Sequence, residues 1–239
     1  MNIEAQIICA AVNHYPEIIE HLSGRARWII ATAPRNVDAV KTEDAFNRSI
    51  ANLVRRLYSG GDNGAFVDGM ANVIQQQLTR AYNAAWKESG EELPLPDYLA
   101  SALEDAILGQ YDFVDGYAAD IRAAAKDGTP IDGLLSRAEL WAAQYGTAQD
   151  KAARLIAIEN SDNLRWELGA TEEHCNSCAS LNGVVAPAKL WEEIGVHPRD
   201  GPNDKLDCGG WRCDCKCDKT DEKVTPDARS IIMVAMSQK

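Results

Sequence analysis

Apolar residues recur every three or four positions through most of the first 160 residues of the chain. This spacing repeats one face of a helix, so the pattern predicts a succession of amphipathic helices packed around a core. Glycine and proline interrupt the pattern and predict where the helices end. The predicted apolar faces are 3–22, 46–57, 66–86, 99–121, 134–145 and 152–158.

Further signals mark the limits of these helices. Thr42 is the expected N-cap of the helix with the apolar face 46–57. The stretch 90–96 contains a glycine and two prolines, so the helical region could divide there. The apolar segment 28–31 is too short to be assigned to a helix or to a strand.

The pattern changes near residue 160, where helical spacing gives way to short stretches of other kinds. Residues 164–168 alternate apolar and polar like a strand, and 184–186 could pair with them. Pro187 is expected to open a short helix that ends near Ile194, before a loop rich in Pro, Gly and Asp. A polar tail then leads to a last apolar stretch, 231–234.

Together with the cysteine cluster described below, these patterns predict a mainly α fold, with a long helical N-terminal region and a small C-terminal α+β subdomain that binds zinc. The expected organisation is a helical region at 1–160, a cysteine-rich metal-binding subdomain at 161–218 and a C-terminal tail at 219–239. The aromatic residues at helical spacing are interpreted as core rather than as a ligand site.

The charge balance narrows the classes of function. The chain of 239 residues has 24 Lys and Arg against 36 Asp and Glu, a formal net charge of −12. Binding to a phosphate backbone requires clustered basic residues, so direct nucleic-acid binding is not expected. No apolar run approaches the roughly 20 residues of a membrane helix, and the residues after Met1 lack the features of a secretion signal. A reducing compartment and no membrane association are therefore expected.

The seven cysteines are unevenly placed, because six of them lie between Cys175 and Cys217. Cys9 lies apart in an apolar segment and is interpreted as a buried packing residue. A dense group of cysteines indicates either disulfides or a metal site. The expected reducing compartment favours a metal and thiolate ligands favour zinc, while disulfides, an iron–sulfur cluster and free thiols remain alternatives.

The spacing of these cysteines suits a zinc site with four sulfur ligands. Cys175 and Cys178 form a Cys-x-x-Cys turn, in which two thiolates can reach one metal ion. Cys208 and Cys213 complete the predicted set, and Cys215 is the substitute for the fourth position. Four thiolates leave no open position for water, so the zinc is expected to be structural and to supply folding free energy.

Three further residues are alternatives for the fourth ligand or lie close to the motif. Cys217 would share a face with Cys213 and Cys215 if this segment is extended. His174 directly precedes the Cys-x-x-Cys turn, and His197 precedes a proline in the following loop. Both histidines are interpreted as surface residues or as residues around the metal site rather than as ligands.

No catalytic motif accompanies the cysteines. A zinc deaminase needs His-x-Glu before its Cys-x-x-Cys, whereas Glu172, Glu173 and His174 stand in the wrong order. A thioredoxin-like site would need a βαβ pattern around the Cys-x-x-Cys. The sequence also contains no phosphate-binding loop, nucleophile elbow or His-Glu-x-x-His. We therefore expect a protein that is not an enzyme.

Several motifs of the C-terminal half occur in the order found in one known family. They are Trp166-x-Leu168, Glu173-His174-Cys175-x-x-Cys178, Leu181-Asn182-Gly183, Trp191 and Cys208-Gly209-Gly210-Trp211-Arg212-Cys213-x-Cys215. This order resembles the C-terminal domain of phage head morphogenesis proteins, the minor head proteins similar to protein F of phage Mu. The resemblance covers about residues 100 to 217. Many members carry His-Pro-x-Cys-Arg-Cys, whereas here Cys208 stands where that histidine would serve and Cys217 is additional.

The resemblance implies a minor structural protein of a tailed-phage or prophage head, present in few copies near the portal. Its expected partners are the portal or other head and neck proteins, with self-association left open. Its expected location is the virion, after assembly in the host cytoplasm. The alternatives are a zinc-ribbon-type binding module and a toxin-associated phage domain with enzymatic activity. Acidic residues around the cysteines argue against the former, and the short tail argues against the latter.

Overall fold

The computed structural model describes residues 43–169, 174–201, 203–210 and 215–237. Over these residues it is mainly helical with one small sheet, which confirms the predicted fold class. The apolar face 3–22, the segment 28–31, Thr42, Cys9 and Cys213 lie outside the described residues. Within the described residues, none of the helices is both long enough and apolar enough to cross a membrane.

The chain forms two compact units, Met1–Gln149 and Asp150–Lys239. We refer to them as unit 1 and unit 2. The boundary therefore lies inside the helix that ends at Glu159, whereas the subdomain boundary expected near residue 160 coincides with the end of that helix. The last turns of the helix belong to unit 2 because residues such as Ala157 are part of its core.

The described part of unit 1 consists of helices joined by short connections. Their bounds are α1 Glu43–Tyr58, α2 Asn63–Glu88, α3 Asp97–Tyr111, α4 Val114–Asp127 and α5 Asp132–Glu159, the last of which continues into unit 2. Local signals set these limits: Asp62 accepts a hydrogen bond from Ala65 N at the start of α2, and Gly128 ends α4 in the left-handed conformation.

The apolar face 99–121 was predicted as one helix, and the structure corrects this to two, α3 and α4. The break falls at Asp112 and Phe113, where Phe113 N donates to Gln110 O in a tight turn. The apolar spacing continues across the turn because Tyr111 and Val114 are both buried in the same core. Neither glycine nor proline marks the break, so the sequence carried no signal for it.

Unit 2 contains a three-stranded antiparallel sheet with the order β2-β1-β3. The strands are β1 Asn163–Glu167, β2 Val185–Pro187 and β3 Lys216–Thr220. Trp166 of β1 is paired with Cys217 of β3, and Leu164 is paired with Ala186 of β2. The helices of this unit are α6 Asn176–Leu181, α7 Ala188–Ile194 and α8 Ala228–Met236.

Two tryptophans form the centre of unit 2. Trp166 and Trp191 are fully buried with ring centroids 5.6 Å apart, and Trp191 Nε1 donates to Leu164 O. Such buried aromatic pairs contribute both apolar area and a specific mutual orientation. Ile232 of α8 is also fully buried in this core, so the last apolar stretch of the chain, 231–234, contributes one of its faces to the core of unit 2.

Candidate metal centre

The Cys-x-x-Cys segment forms the first turn of α6. Cys175 is the N-cap residue, and its Sγ accepts a hydrogen bond from Cys178 N at 3.4 Å. This contact places the Sγ of Cys175 beside the start of the helix and directs Cys178 to the same side. Cys178 is fully buried, whereas Cys175 is half-buried.

A compact loop places Cys208 beside this turn. Asn203 N donates to Gly209 O, and Gly209 N donates to Leu206 O, so the loop closes on itself around the buried Leu206. Gly210 has a φ of 76°, and a Cβ there would lie 3.0 Å from Gly201 N. Both the backbone conformation and the close approach therefore require glycine at position 210.

A reciprocal pair of hydrogen bonds joins the two segments that carry the cysteines. Ser177 N donates to Asp207 Oδ2 and Asp207 N donates to Ser177 Oγ, each at 3.3 Å. Ser177 is fully buried, so both of its polar contacts are made inside the protein. No sequence motif marks Ser177 or Asp207, although each directly precedes a predicted ligand. They hold Cys178 and Cys208 in a fixed relation.

The sulfur atoms of Cys175, Cys178 and Cys208 all lie within 4.8 Å of one another. The Sγ atoms of Cys178 and Cys208 are 3.9 Å apart. A disulfide would require about 2.05 Å between them. Two thiolates on one tetrahedral zinc ion, each with a Zn–S distance of about 2.3 Å, are separated by roughly 3.8 Å. The three thiols therefore have the spacing of metal ligands and could hold a metal ion.

The electrostatic environment of Cys175 favours its thiolate. Burial raises the pKa of this thiol, but hydrogen bonds from Cys178 and Cys208 outweigh burial and leave the pKa below its usual value. The thiolate is the form that binds metal ions.

The remaining predicted cysteines are placed differently. Cys215 is fully buried at the start of the segment that leads into β3, and its Sγ lies 3.9 Å from His174 Nδ1. Cys217 lies on β3, where burial raises the pKa of its thiol. Cys213 lies outside the described residues. The structure thus brings together three of the five predicted ligands and places Cys215 close to His174.

His197 is not a member of the thiol group. It is 5% exposed, and its Nε2 lies 3.1 Å from Glu192 Oε2. Arg154, whose side chain is 10% exposed, lies 3.4 Å from the same carboxylate oxygen and 3.0 Å from Asp200 Oδ2. This network of paired charges joins α5, α7 and the following loop, and His197 contributes to it as a structural residue.

Comparisons of the chain with protein-family models, with curated proteins and with solved structures gave no match.

The buried position of His197 predicts a loss of stability in acid. Burial, reinforced by Arg154 and Lys205 and opposed by Asp200, lowers the pKa of His197 from 6.5 to about 3. Below pH 6.5 the unfolded chain therefore binds a proton that the folded chain does not, until the pH falls to about 3. The free energy of unfolding should decrease over this range, with a slope contribution of up to about 1.4 kcal/mol per pH unit.

Urea unfolding of the wild type and of His197→Gln between about pH 7 and about pH 5 measures this contribution. The wild type should lose stability more steeply than the variant as the pH falls. Both proteins carry the same cysteines, so any acid-dependent loss of metal affects them equally. Parallel pH dependences of the two proteins would contradict the assignment.

Proposed function

We propose that Cys175, Cys178 and Cys208 bind a structural zinc ion, with Cys213 or Cys215 as the fourth ligand. The 3.9 Å separation of the Cys178 and Cys208 sulfur atoms is the observation that carries this proposal. It fits two ligands of one tetrahedral ion and is almost twice the length of a disulfide bond.

The chemistry of the donors favours zinc over magnesium and calcium. Thiolates are soft ligands that suit zinc, whereas magnesium and calcium require oxygen ligands. The backbone N–H of Cys178 donates to the Cys175 sulfur and helps to stabilise its negative charge. A fourth thiolate from Cys213 or Cys215 would fill the last coordination position of the ion. The ion would then stabilise the fold and have no open position for a water molecule or a substrate.

We further propose that this zinc-stabilised chain is a minor structural protein of a tailed-phage head. The support is the ordered series of motifs from Trp166 to Cys215, which resembles the C-terminal domain of phage head morphogenesis proteins. A saturated metal site, a mainly helical body and a net charge of −12 suit a protein that works through protein–protein contacts. Its partners would be the portal or other head and neck proteins.

Single cysteine substitutions test the ligand assignment. The purified wild type should contain about one zinc ion per chain, and Cys178→Ser should lose most of it because a tetrahedral site then lacks one thiolate. Cys217→Ser is the matched control and should retain the metal, since Cys217 lies within β3, where it is paired with Trp166 of β1, and is not one of the proposed ligands. Elemental analysis of the purified proteins measures this difference.

The same series identifies the fourth ligand, because only one of Cys213→Ser and Cys215→Ser should reduce the zinc content. Zinc retained by Cys178→Ser would contradict the proposed site. Thiols that react only after a reductant is added would indicate disulfides instead of a metal.

The assembly role predicts that the protein is found in the particle. Mass spectrometry of heads purified from the phage or prophage that encodes this chain should detect the protein in few copies, together with the portal protein. Cys178→Ser should lower its incorporation, whereas Cys217→Ser should not. Particles that contain the portal but never this chain would contradict the proposed role, and this result would leave the zinc site unaffected.

A further inference from the structure

Helix α8 lacks the local signals that stabilise a short helix. It has nine residues, and its N-cap residue Asp227 makes no side-chain hydrogen bond to the first turn. The first turn has no acidic residue, and the last turn has no basic one. Arg229 of α8 forms an ion pair with Glu193, and both side chains of this pair are exposed to solvent. Isolated helices of this length are not stable in water, so α8 depends on its packing.

The inner face of α8 packs against α6, the helix that carries the first two predicted zinc ligands. Ile232 and Ala235 of α8 are buried in the same core cluster as Cys178 and Leu181 of α6. The neighbouring residues Met233 and Val234 face outwards and are 53% and 55% exposed. The two faces of α8 therefore differ sharply in their contacts.

Helix α6 is in turn too short to hold its own position. It has six residues, and its anchors are the Cys175 cap, the hydrogen bonds between Ser177 and Asp207, and the thiols of the proposed metal site. Without an ion, Cys178 and Cys208 would lose the shared metal bonds that join α6 to the neighbouring loop in the proposed site. Loss of the metal would thus loosen the surface on which α8 rests.

We propose that zinc occupancy controls the docking of α8, so that metal loss releases the C-terminal helix and exposes its apolar face. This inference rests on the proposed zinc site and adds that the site governs a second element. The link runs from the ion through Cys178 to α6 and from α6 to Ile232.

Amide hydrogen exchange of the full chain, with its zinc and after chelation, tests the release directly. The amides of α8 should exchange roughly tenfold to a hundredfold faster after chelation, because α8 depends on its packing, which it makes mainly with α6 and to a smaller extent with β2. Amides of α2 in unit 1 provide the internal reference and should change little. Unchanged exchange in α8 after zinc removal would overturn the proposal.

Coupling between two sites is reciprocal, so loosening α8 must weaken zinc binding. Ile232→Ala should reduce zinc affinity roughly tenfold to a hundredfold, as do other substitutions of residues that support a ligand. Met233→Ala, on the exposed face of the same helix, is the matched control and should leave the affinity unchanged. Competition with a chromophoric chelator measures both affinities.

The outcomes separate this inference from the zinc site itself. A wild type that binds no zinc overturns both proposals. Zinc bound with equal affinity by Ile232→Ala and Met233→Ala overturns the coupling alone and leaves the zinc site standing. If Ile232→Ala fails to fold, the exchange of α8 in the wild type decides the question.

Discussion

Unit 2 depends on the convergence of thiols from two segments that are 30 residues apart in sequence. Each segment is weak by itself: α6 has only six residues, and the loop that carries Cys208 is closed mainly by its own backbone. The hydrogen bonds between Ser177 and Asp207 hold the segments together and keep the three thiols within 4.8 Å of one another. In the proposed site, a metal ion bound by these thiols would join the two segments further and supply folding free energy to the unit.

The thiols lie at one edge of the hydrophobic core of unit 2, which contains Cys178 and against which Cys175 and Cys208 pack. Trp166 and Trp191 provide a small aromatic core, and α8 covers one side of it with Ile232. Arg154 pairs with Glu192 and Asp200, and His197 lies beside the same Glu192 carboxylate, where burial keeps the pKa of the histidine low.

The sequence predicted the parts of the structure that depend on local patterns. The helices of unit 1 were predicted because apolar spacing records which residues face the core. The grouping of Cys175, Cys178 and Cys208 was predicted because metal ligands follow recognisable spacings. The break between α3 and α4 was missed because both helices face the same core and the apolar spacing continues across the turn. The contacts between Ser177 and Asp207 and between α6 and α8 join residues distant in sequence, and no local pattern records them.

The central claim is that sulfur ligands hold a zinc ion at the start of α6. X-ray absorption at the zinc edge of the purified protein tests it most directly, because the spectrum reports both the ligand atoms and their distances. We predict about four sulfur ligands at about 2.3 Å from zinc. A protein without zinc, or zinc surrounded mainly by oxygen and nitrogen, would contradict the account.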